Sequence, residues 1–293
     1  MEAIFAHGIL HGFARRYDEA KGTCQFGYYV DGIPSGIWWR LIRDGGAIVG
    51  PVDEQGDLTG TEIVFLYPDF KTGLMGQFLD GELCRAQVVH LECAVNEYKM
   101  MVPLFSEPQG PHYIREISDY EKMTSQPTLP DPYESKMVEV RASSVPGAND
   151  GLFVRNTVPA GTILAFYNGI RRPPKQTFDD PDWTVCAYKI FDPTRKKGSL
   201  DIPPDYVDLT QYRATLAHKT NHSFLPSAEF DAFHHPCFGL IPCLITQTSI
   251  QADEEVFVHY CYGLDRCPDW YTDAWAAGNY PVPSSFQDSA VTA

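Results

Sequence analysis

Three short segments in the second half of the chain combine amide, imidazole and phenol side chains. Asn221-His222-Ser223-Phe224 supplies a side-chain amide, which offers both a hydrogen-bond donor and an acceptor to a polar ligand. Tyr167-Asn168-Gly169 lies about fifty residues earlier, and Tyr260-Cys261-Tyr262 about forty residues later. Tyrosine faces of this kind accommodate a cation. Each segment alone is common, so the order of all three carries the information.

This order resembles the SET-domain lysine methyltransferases. In that family an Asn-His-Ser segment is threaded through a loop to hold S-adenosylmethionine, and several tyrosines line a channel for the target lysine. The resemblance implies that Tyr167, Tyr260 and Tyr262 line the channel and carry the chemistry. A single tyrosine in such a position is more often a core residue, whereas the set of three is not.

A glycine-containing turn resembles the family's first motif, usually Gly-x-Gly, whose backbone approaches the cofactor closely because glycine has no Cβ. It reads Gly147-Ala148-Asn149-Asp150-Gly151, so Asn149 replaces the middle glycine. Taken alone, this segment indicates only a turn. A C-terminal helix carrying Trp270 is expected to close over adenine by stacking, although a plain amphipathic helix is the alternative. The cofactor-binding residues implied by the resemblance are Ala148, Asp150, Gly151, Lys219, Asn221, His222 and Trp270.

Methyl transfer to lysine sets conditions that an aromatic channel can meet. The reaction needs in-line attack by a neutral amine, whereas a lysine in water has a pKa of about 10.4. Desolvation in the channel and the positive sulfonium of the cofactor both favour loss of the proton. Tyrosine hydroxyls and backbone carbonyls would then orient the nitrogen lone pair.

Two residues depart from the family pattern. Phe230 stands where the resemblance implies a channel tyrosine, whose hydroxyl would hold a water against the amine and crowd a second methyl group. We therefore expect Phe230 to relax the product limit from monomethyl-lysine toward dimethyl-lysine. Ser227 stands where the family commonly has asparagine, which leaves the local hydrogen bonding open.

Short β-hairpins recur through the first ninety residues. Glycines preceded by His, Asp, Gln and Asp return at intervals of about 24 residues between aromatic or β-branched runs. Gly supplies the positive φ that primed hairpin turns need, and hairpins repeating at one period stack on a continuous core. Residues 27–36 follow the MORN repeat consensus, which the whole region resembles. The repeating glycines are Gly8, Gly32, Gly56 and Gly81.

A second, mostly β domain follows a proline-rich linker at residues 125–132. Strand-like runs occupy residues 138–140, 162–167, 239–245 and 255–260, and a helix is predicted over 268–277. We predict a mainly β chain, with an antiparallel β-hairpin (MORN) stack before a β-rich SET domain that contains a threaded, knot-like segment and short helices. The predicted boundaries are 1–90 for the repeats, 91–132 for the connecting segment and linker, 133–265 for the SET domain, and 266–293 for the C-terminal helical segment and tail.

MORN-like repeats followed by one SET domain resemble, over about residues 25–275, the MORN-repeat histone H3 lysine methyltransferases. The resemblance implies methyl transfer from S-adenosylmethionine to the fourth-position lysine of histone H3 and to non-histone proteins, usually adding one methyl group. It also implies a monomer that acts in the nucleus on chromatin, with the cytoplasm as a second location. Substrate contacts are expected within residues 183–200. No metal is expected, since Phe224 stands where zinc-binding members have cysteine.

The composition of the chain indicates which kinds of binding partner it favours. The formal net charge of -15 disfavours direct DNA binding and favours Lys/Arg-rich partners such as the histone H3 tail, although an acidic surface also serves solubility. The 8 cysteines form no Cys-x-x-Cys pair, which is typical of free thiols in a reducing compartment. The sequence contains no run of about 18 apolar residues, so no membrane-spanning helix is predicted.

Two alternatives belong to other functional classes. A catalytically weak SET-like scaffold that binds partners through its repeats is favoured by Asn149 and Ser227, and it is disfavoured by the retained tyrosines, Asn221 and His222. A membrane-binding MORN protein is disfavoured by the acidic charge balance, because anionic lipids attract Lys/Arg clusters. Cofactor binding would distinguish the first alternative from the enzyme.

Overall fold

A computed structural model describes residues 1–20, 22–93, 102–172, 188–194, 198–262 and 267–278. The chain divides into two compact units. The first unit contains Met1–Ser118, Asp131–Tyr133 and Ala232–Ile241, and the second contains Asp119–Pro130, Glu134–Asp231 and Pro242–Ala293. The predicted class, mainly β with an N-terminal antiparallel hairpin sheet, is confirmed.

The first unit is built on a sheet of ten strands in its described residues. Consecutive strands pair antiparallel in the order β1 to β8 and then β10, while β9 also pairs with β8. Strand β10 therefore extends the sheet into the segment that was predicted to be a connection. The strands are β1 (Glu2–Ala6), β2 (Ile9–Asp18), β3 (Thr23–Val30), β4 (Ile33–Leu41), β5 (Ala47–Pro51), β6 (Gly60–Leu66), β7 (Thr72–Leu79), β8 (Glu82–Cys93), β9 (Leu104–Phe105) and β10 (Gln109–Ile114).

The repeating glycines make two kinds of connection. Asp31 and Gly32 have φ of 50° and 87°, as a primed two-residue hairpin turn requires, and the turns at residues 7–8 and 80–81 share this pattern. The Gln55-Gly56 position differs, because it lies in a longer loop between β5 and β6. There the Asp53 carboxylate accepts hydrogen bonds from the backbone of Gln55 and Asp57, so a side chain closes the turn.

The core of this sheet follows from strand alternation, which sends every second side chain to the same face. Trp39, Val49, Val64, Leu66 and Val89 are at most 3% exposed and form one apolar cluster across four strands. The cluster gives the repeats the continuous core that their period predicted.

The second unit consists of short strands and few helices. Two-stranded (β11-β12) and three-stranded (β13-β19-β18 and β14-β16-β15) sheets accompany a parallel pair, β17 and β20. Residues Ala232–Ile241 of the β18-β19 hairpin group with the first unit. No described helix is long and apolar enough to cross a membrane. The elements are α1 (Glu134–Met137), β11 (Val138–Ala142), β12 (Asp150–Val154), β13 (Ile163–Phe166), β14 (Ile170–Arg172), β15 (Lys189–Phe191), β16 (Ser199–Asp201), β17 (Asn221–His222), β18 (Ala228–His235), β19 (Gly239–Thr246), β20 (Phe257–Val258) and α2 (Asp269–Gly278), with 3-10 turns at Pro204–Tyr206 and Ala217–Lys219.

Candidate active site

Strand β17 holds the centre of the candidate site. Its two residues pair in parallel with β20, Asn221 opposite Phe257 and His222 opposite Val258. The chain leaving β20 then turns back, so that the Tyr260 backbone N–H donates to His222 Nδ1 at 3.1 Å. Burial, followed by the neighbouring His259, lowers the pKa of His222 to about 4. The imidazole is therefore neutral at pH 7, and its proton lies on Nε2 because Nδ1 accepts.

The three predicted channel tyrosines are neutral phenols. Burial raises the pKa of Tyr167 and Tyr260 well above the ordinary value, and it raises the pKa of Tyr262 to about 12. The Tyr167 hydroxyl donates to the backbone carbonyl of Tyr188, and the Tyr260 hydroxyl donates to that of Thr220 at 2.9 Å. Each phenol has one proton, so toward any further ligand these two oxygens act as acceptors.

The channel residues form two edge-to-face aromatic pairs. The rings of Tyr167 and Phe230 lie 5.9 Å apart at 80°, and those of Tyr260 and Tyr262 lie 5.5 Å apart at 68°. Both geometries are favourable for aromatic rings. The Tyr167 ring also lies 6.4 Å from that of His218, two residues before Thr220, whose carbonyl accepts from Tyr260. The structure thus groups the four predicted channel residues into two aromatic pairs, and their assembly into one channel stays a prediction.

Helix α2 adds aromatic rings on the His222 side. Trp270 is 49% exposed, and its ring lies 5.9 Å from that of His222 and 6.3 Å from that of Tyr262. Tyr271 is buried, with its ring 4.8 Å from His222. The helix is therefore anchored by the buried Tyr271, whereas Trp270 stays half-exposed beside His222 and Tyr262.

The other predicted cofactor residues meet around strand β12. Lys219 Nζ lies 2.7 Å from Asp150 Oδ2, with the lysine side chain 2% exposed and the aspartate side chain 46% exposed. The Asn221 amide donates to the Asp150 backbone carbonyl at 2.8 Å. Ala148 N–H donates to the carbonyl of Val145 at 3.1 Å, which closes the turn that leads into Asp150 and Gly151.

Several buried polar atoms at this site have no partner among the described residues. His218, Thr220 and His222 follow one another along the segment that leads into and through β17, whereas native interiors leave few such atoms. His222 Nε2 is one of them, and as the protonated nitrogen it is a hydrogen-bond donor. A polar small molecule with both donor and acceptor atoms would match such a set. The atoms are Asn168 Oδ1, both ring nitrogens of His218, Thr220 Oγ1 and His222 Nε2.

Comparison with known proteins decides the family. Residues 29–100 match the family model described as histone H3 K4-specific methyltransferase SET7 N-terminal. Histone-lysine N-methyltransferase SETD7 of Halocynthia roretzi is 31% identical over 265 residues, which cover 87% of this chain and 68% of that protein. The chain belongs to the SET7 family of histone-lysine N-methyltransferases. It is therefore a protein-lysine methyltransferase with MORN-like repeats before a SET domain.

A solved structure also resembles part of the chain. The structure of ctPRC2 in an autoinhibited conformation bound to S-adenosylmethionine matches at 15% identity and a TM-score of 0.34, over 49% of this chain and 17% of that one. This similarity is too low to support a functional statement, so the family assignment rests on the sequence relatives.

Asn149 and Ser227, which both differ from the family pattern, are accommodated locally in this SET7-family chain. Asn149 has a φ of 59°, a left-handed conformation that asparagine tolerates better than most residues, so the turn keeps a glycine-like backbone. The Ser227 hydroxyl accepts a hydrogen bond from the Phe257 backbone N–H at 3.1 Å. Ser227 N–H in turn donates to the Phe257 carbonyl, which ties β20 to the segment after β17.

Sequence reasoning missed the buried residues that hold the SET7-family site in place. Glu134 Oε1 accepts from the backbone N–H groups of Phe166 and Leu216, each at 2.8 Å, and so fixes the residue next to Tyr167. His218 is buried, with its ring 6.4 Å from that of Tyr167. Neither residue stands out in the sequence, since Glu134 lies between Tyr133 and Ser135 and His218 precedes Lys219. Of the expected substrate segment 183–200, residues 183–187 and 195–197 lie outside the described residues.

Proposed function

We propose that this methyltransferase transfers a methyl group from S-adenosylmethionine to the fourth-position lysine of histone H3, and that it also modifies lysines in other proteins. The observation that carries the proposal is the pair of tyrosine hydroxyls, Tyr167 and Tyr260, whose protons are committed to backbone carbonyls. Two fixed acceptors can hold the two N–H groups of a neutral lysine amine and thereby orient its lone pair.

The cofactor side is assigned to the residues around β17 and β12. Asn221, His222 and the turn containing Ala148, Asp150 and Gly151 would hold the amino-acid end and the adenine, with Trp270 stacking on the ring. The His222 Nε2–H, which has the Val258 backbone as its neighbour, is a donor that suits a cofactor with acceptor nitrogens. When bound, S-adenosylmethionine supplies an electrophilic methyl group on a positively charged sulfonium, which disfavours a protonated lysine nearby. No metal has a role in this scheme.

The structure places Lys219 in an ion pair with Asp150. We therefore assign Lys219 a part in shaping the Asp150 turn, in addition to the cofactor contact implied by its position.

Histone H3 is proposed as substrate on two grounds. The matching family model is described as specific for histone H3 K4. The net charge of -15 also favours encounter with a Lys/Arg-rich tail and disfavours direct contact with DNA. We accordingly propose a monomeric enzyme that acts on chromatin in the nucleus and on protein substrates in the cytoplasm.

Phe230 is proposed to set the product. Its ring packs edge-on against Tyr167 and brings no hydroxyl to the channel. A second methyl group then meets no water held by a phenol, so dimethyl-lysine becomes accessible.

The test is mass spectrometry of an H3-tail peptide incubated with the full chain and S-adenosylmethionine. We expect methylation at the fourth-position lysine, lost in Tyr260→Phe and His222→Ala. Tyr120→Phe is the matched control, because Tyr120 is 68% exposed and lies outside the site. Phe230→Tyr should retain monomethyl product and lose dimethyl product. Product at another lysine would refute the proposed specificity, and cofactor binding without any product on the peptide would refute the proposed substrate.

A further inference from the structure

Glu255 is a buried carboxylate on which the cofactor side of the site converges. It is 8% exposed, and both of its oxygens accept two hydrogen bonds. Oε1 accepts from Ser143 Oγ at 2.7 Å and from Asn221 Nδ2 at 2.9 Å. Oε2 accepts from the Ser144 backbone N–H at 2.8 Å and from Ser144 Oγ at 2.5 Å. A carboxylate can accept from all four donors, because both of its oxygens are acceptors. A neutral amide of the same shape cannot, because its nitrogen is a donor.

The hydrogen bonds keep Glu255 ionised. Burial by itself would raise the pKa of this carboxyl, but the donors on Ser144, Asn221 and Ser143 together outweigh burial and hold the pKa below the ordinary value. The carboxylate thus ties together the turn after β11, the strand β17 and its own segment, which is bridged to β12 through Phe153.

These contacts decide which way the Asn221 amide points. Its Nδ2 faces three acceptors, namely Glu255 Oε1, Ser143 Oγ at 2.9 Å and the Asp150 carbonyl at 2.8 Å. The amide nitrogen is therefore turned into the protein, and Oδ1 is left as an acceptor on the opposite side. An acceptor in that place suits the ammonium group of an amino-acid ligand.

Gly151 permits this arrangement. A Cβ at residue 151 would lie 2.2 Å from Glu255 Oε1, so any larger residue would displace the carboxylate. The glycine implied by the family's first motif has here a definite role, which is to admit Glu255 rather than only to approach the cofactor.

We propose that Glu255 is a positioning residue for cofactor binding, which orients the Asn221 amide and the Ser143–Gly151 turn without touching the cofactor. The inference rests on the proposed use of S-adenosylmethionine. Replacing the carboxylate by an amide turns one acceptor into a donor that faces other donors, so the network must rearrange.

The experiment compares Glu255→Gln with Glu254→Gln in the full chain. Glu254 is the adjacent residue and is exposed, and within the part of the chain that the structure describes its carboxylate accepts only from the nearby Gln251 backbone. It is therefore a matched control. Calorimetric titration with S-adenosylmethionine should give a dissociation constant about 10-fold or more higher for Glu255→Gln, because a buried donor is left without its acceptor. Glu254→Gln should bind like the wild type. Kinetically, KM for the cofactor should rise while KM for the peptide stays unchanged.

Ser144→Ala guards against loss of folding. This substitution removes one of the four donors and keeps the charge of Glu255, so we expect cofactor binding to weaken a few-fold. The binding is measured under conditions in which circular dichroism shows a native fold. Wild-type affinity in both Glu255→Gln and Ser144→Ala would overturn the proposal, as would equal increases in the two KM values. If Glu255→Gln does not fold, Ser144→Ala alone decides. A wild-type chain that binds no S-adenosylmethionine would instead refute the proposed function.

Discussion

The ion pair between Lys219 and Asp150 should respond asymmetrically to loss of either partner. The lysine side chain is 2% exposed and the aspartate side chain 46% exposed, with Nζ and Oδ2 2.7 Å apart. In Asp150→Asn the buried ammonium loses its paired carboxylate, whereas in Lys219→Met the carboxylate left behind can hydrate. Removing one partner of a buried ion pair lowers the free energy of unfolding by about 3–5 kcal/mol. Because Asp150 is partly exposed, we expect the lower end, about 3 kcal/mol, for Asp150→Asn.

Lys219→Met should lower the free energy of unfolding much less than Asp150→Asn does. Methionine has a similar length, and the losses are an ion pair to a hydrated carboxylate and the contact of Nζ with the Tyr188 ring at 5.7 Å. Together these contribute about 1 kcal/mol. The double variant should resemble Lys219→Met, which gives a coupling energy of about 3 kcal/mol between the two positions.

Urea denaturation followed by circular dichroism measures these costs, provided that the m-values agree. Asp253→Asn is the matched control, because Asp253 pairs with Arg141 where the side chains are 73% and 39% exposed. That pair should be worth about 0.5 kcal/mol. Equal costs for Asp150→Asn and Lys219→Met, or additive effects in the double variant, would refute the account of Lys219 as a buried charge held by Asp150.

Two further predictions concern histidines and the C-terminal helix. Burial, and then Lys219, lowers the pKa of His218 to about 3, and burial lowers that of His222 to about 4. Both pKa values lie below the unfolded value of about 6.5, so their stabilisation is complete above pH 6.5 and is lost toward pH 4, by up to about 1.4 kcal/mol per pH unit for each histidine. His218→Asn should flatten this acid limb in urea titrations, and an unchanged slope would contradict the assignment. Trp270→Ala should weaken cofactor binding with little loss of stability, whereas Tyr271→Ala, which empties a buried position, should lower the free energy of unfolding by about 3 kcal/mol or more. Thermal unfolding measures the stability and calorimetry measures the binding. The reverse ranking would contradict the proposed stacking of Trp270 on the adenine.

The sequence was most informative where one residue type has one structural use. Asp31-Gly32 predicts a primed turn because few other pairs adopt two positive φ values, and the structure has that turn. Gln55-Gly56 fits the same period but is closed by Asp53, because a carboxylate two residues earlier can replace the turn hydrogen bonds. Period alone could not distinguish these two solutions.

For the site, the residue types predicted the aromatic channel residues but not the buried residues that hold the site in place. Tyr167 packs against Phe230 and Tyr260 packs against Tyr262, so the four predicted channel residues form two pairs. Glu255, by contrast, is a charged residue in a strand-like run, and in a sequence it cannot be distinguished from a solvated edge residue. Its partners come from segments 34 and 112 residues away, and pairings at such separations are set by the tertiary fold rather than by local pattern.

The hydroxyl geometry also separates two effects on the proposed reaction. Tyr260 commits its proton to the Thr220 carbonyl, so it holds the substrate amine only as an acceptor, in the first methyl transfer and in the second. Phe230 contributes only space. Tyr260→Phe should therefore slow transfer to unmethylated and monomethylated H3 peptides by similar factors, whereas Phe230→Tyr should slow only the second transfer. Single-turnover rates on the two peptides measure both factors. A Tyr260→Phe defect confined to one peptide, or a Phe230→Tyr defect equal on both, would show that orientation of the amine and room for the second methyl group are not separate properties of this channel.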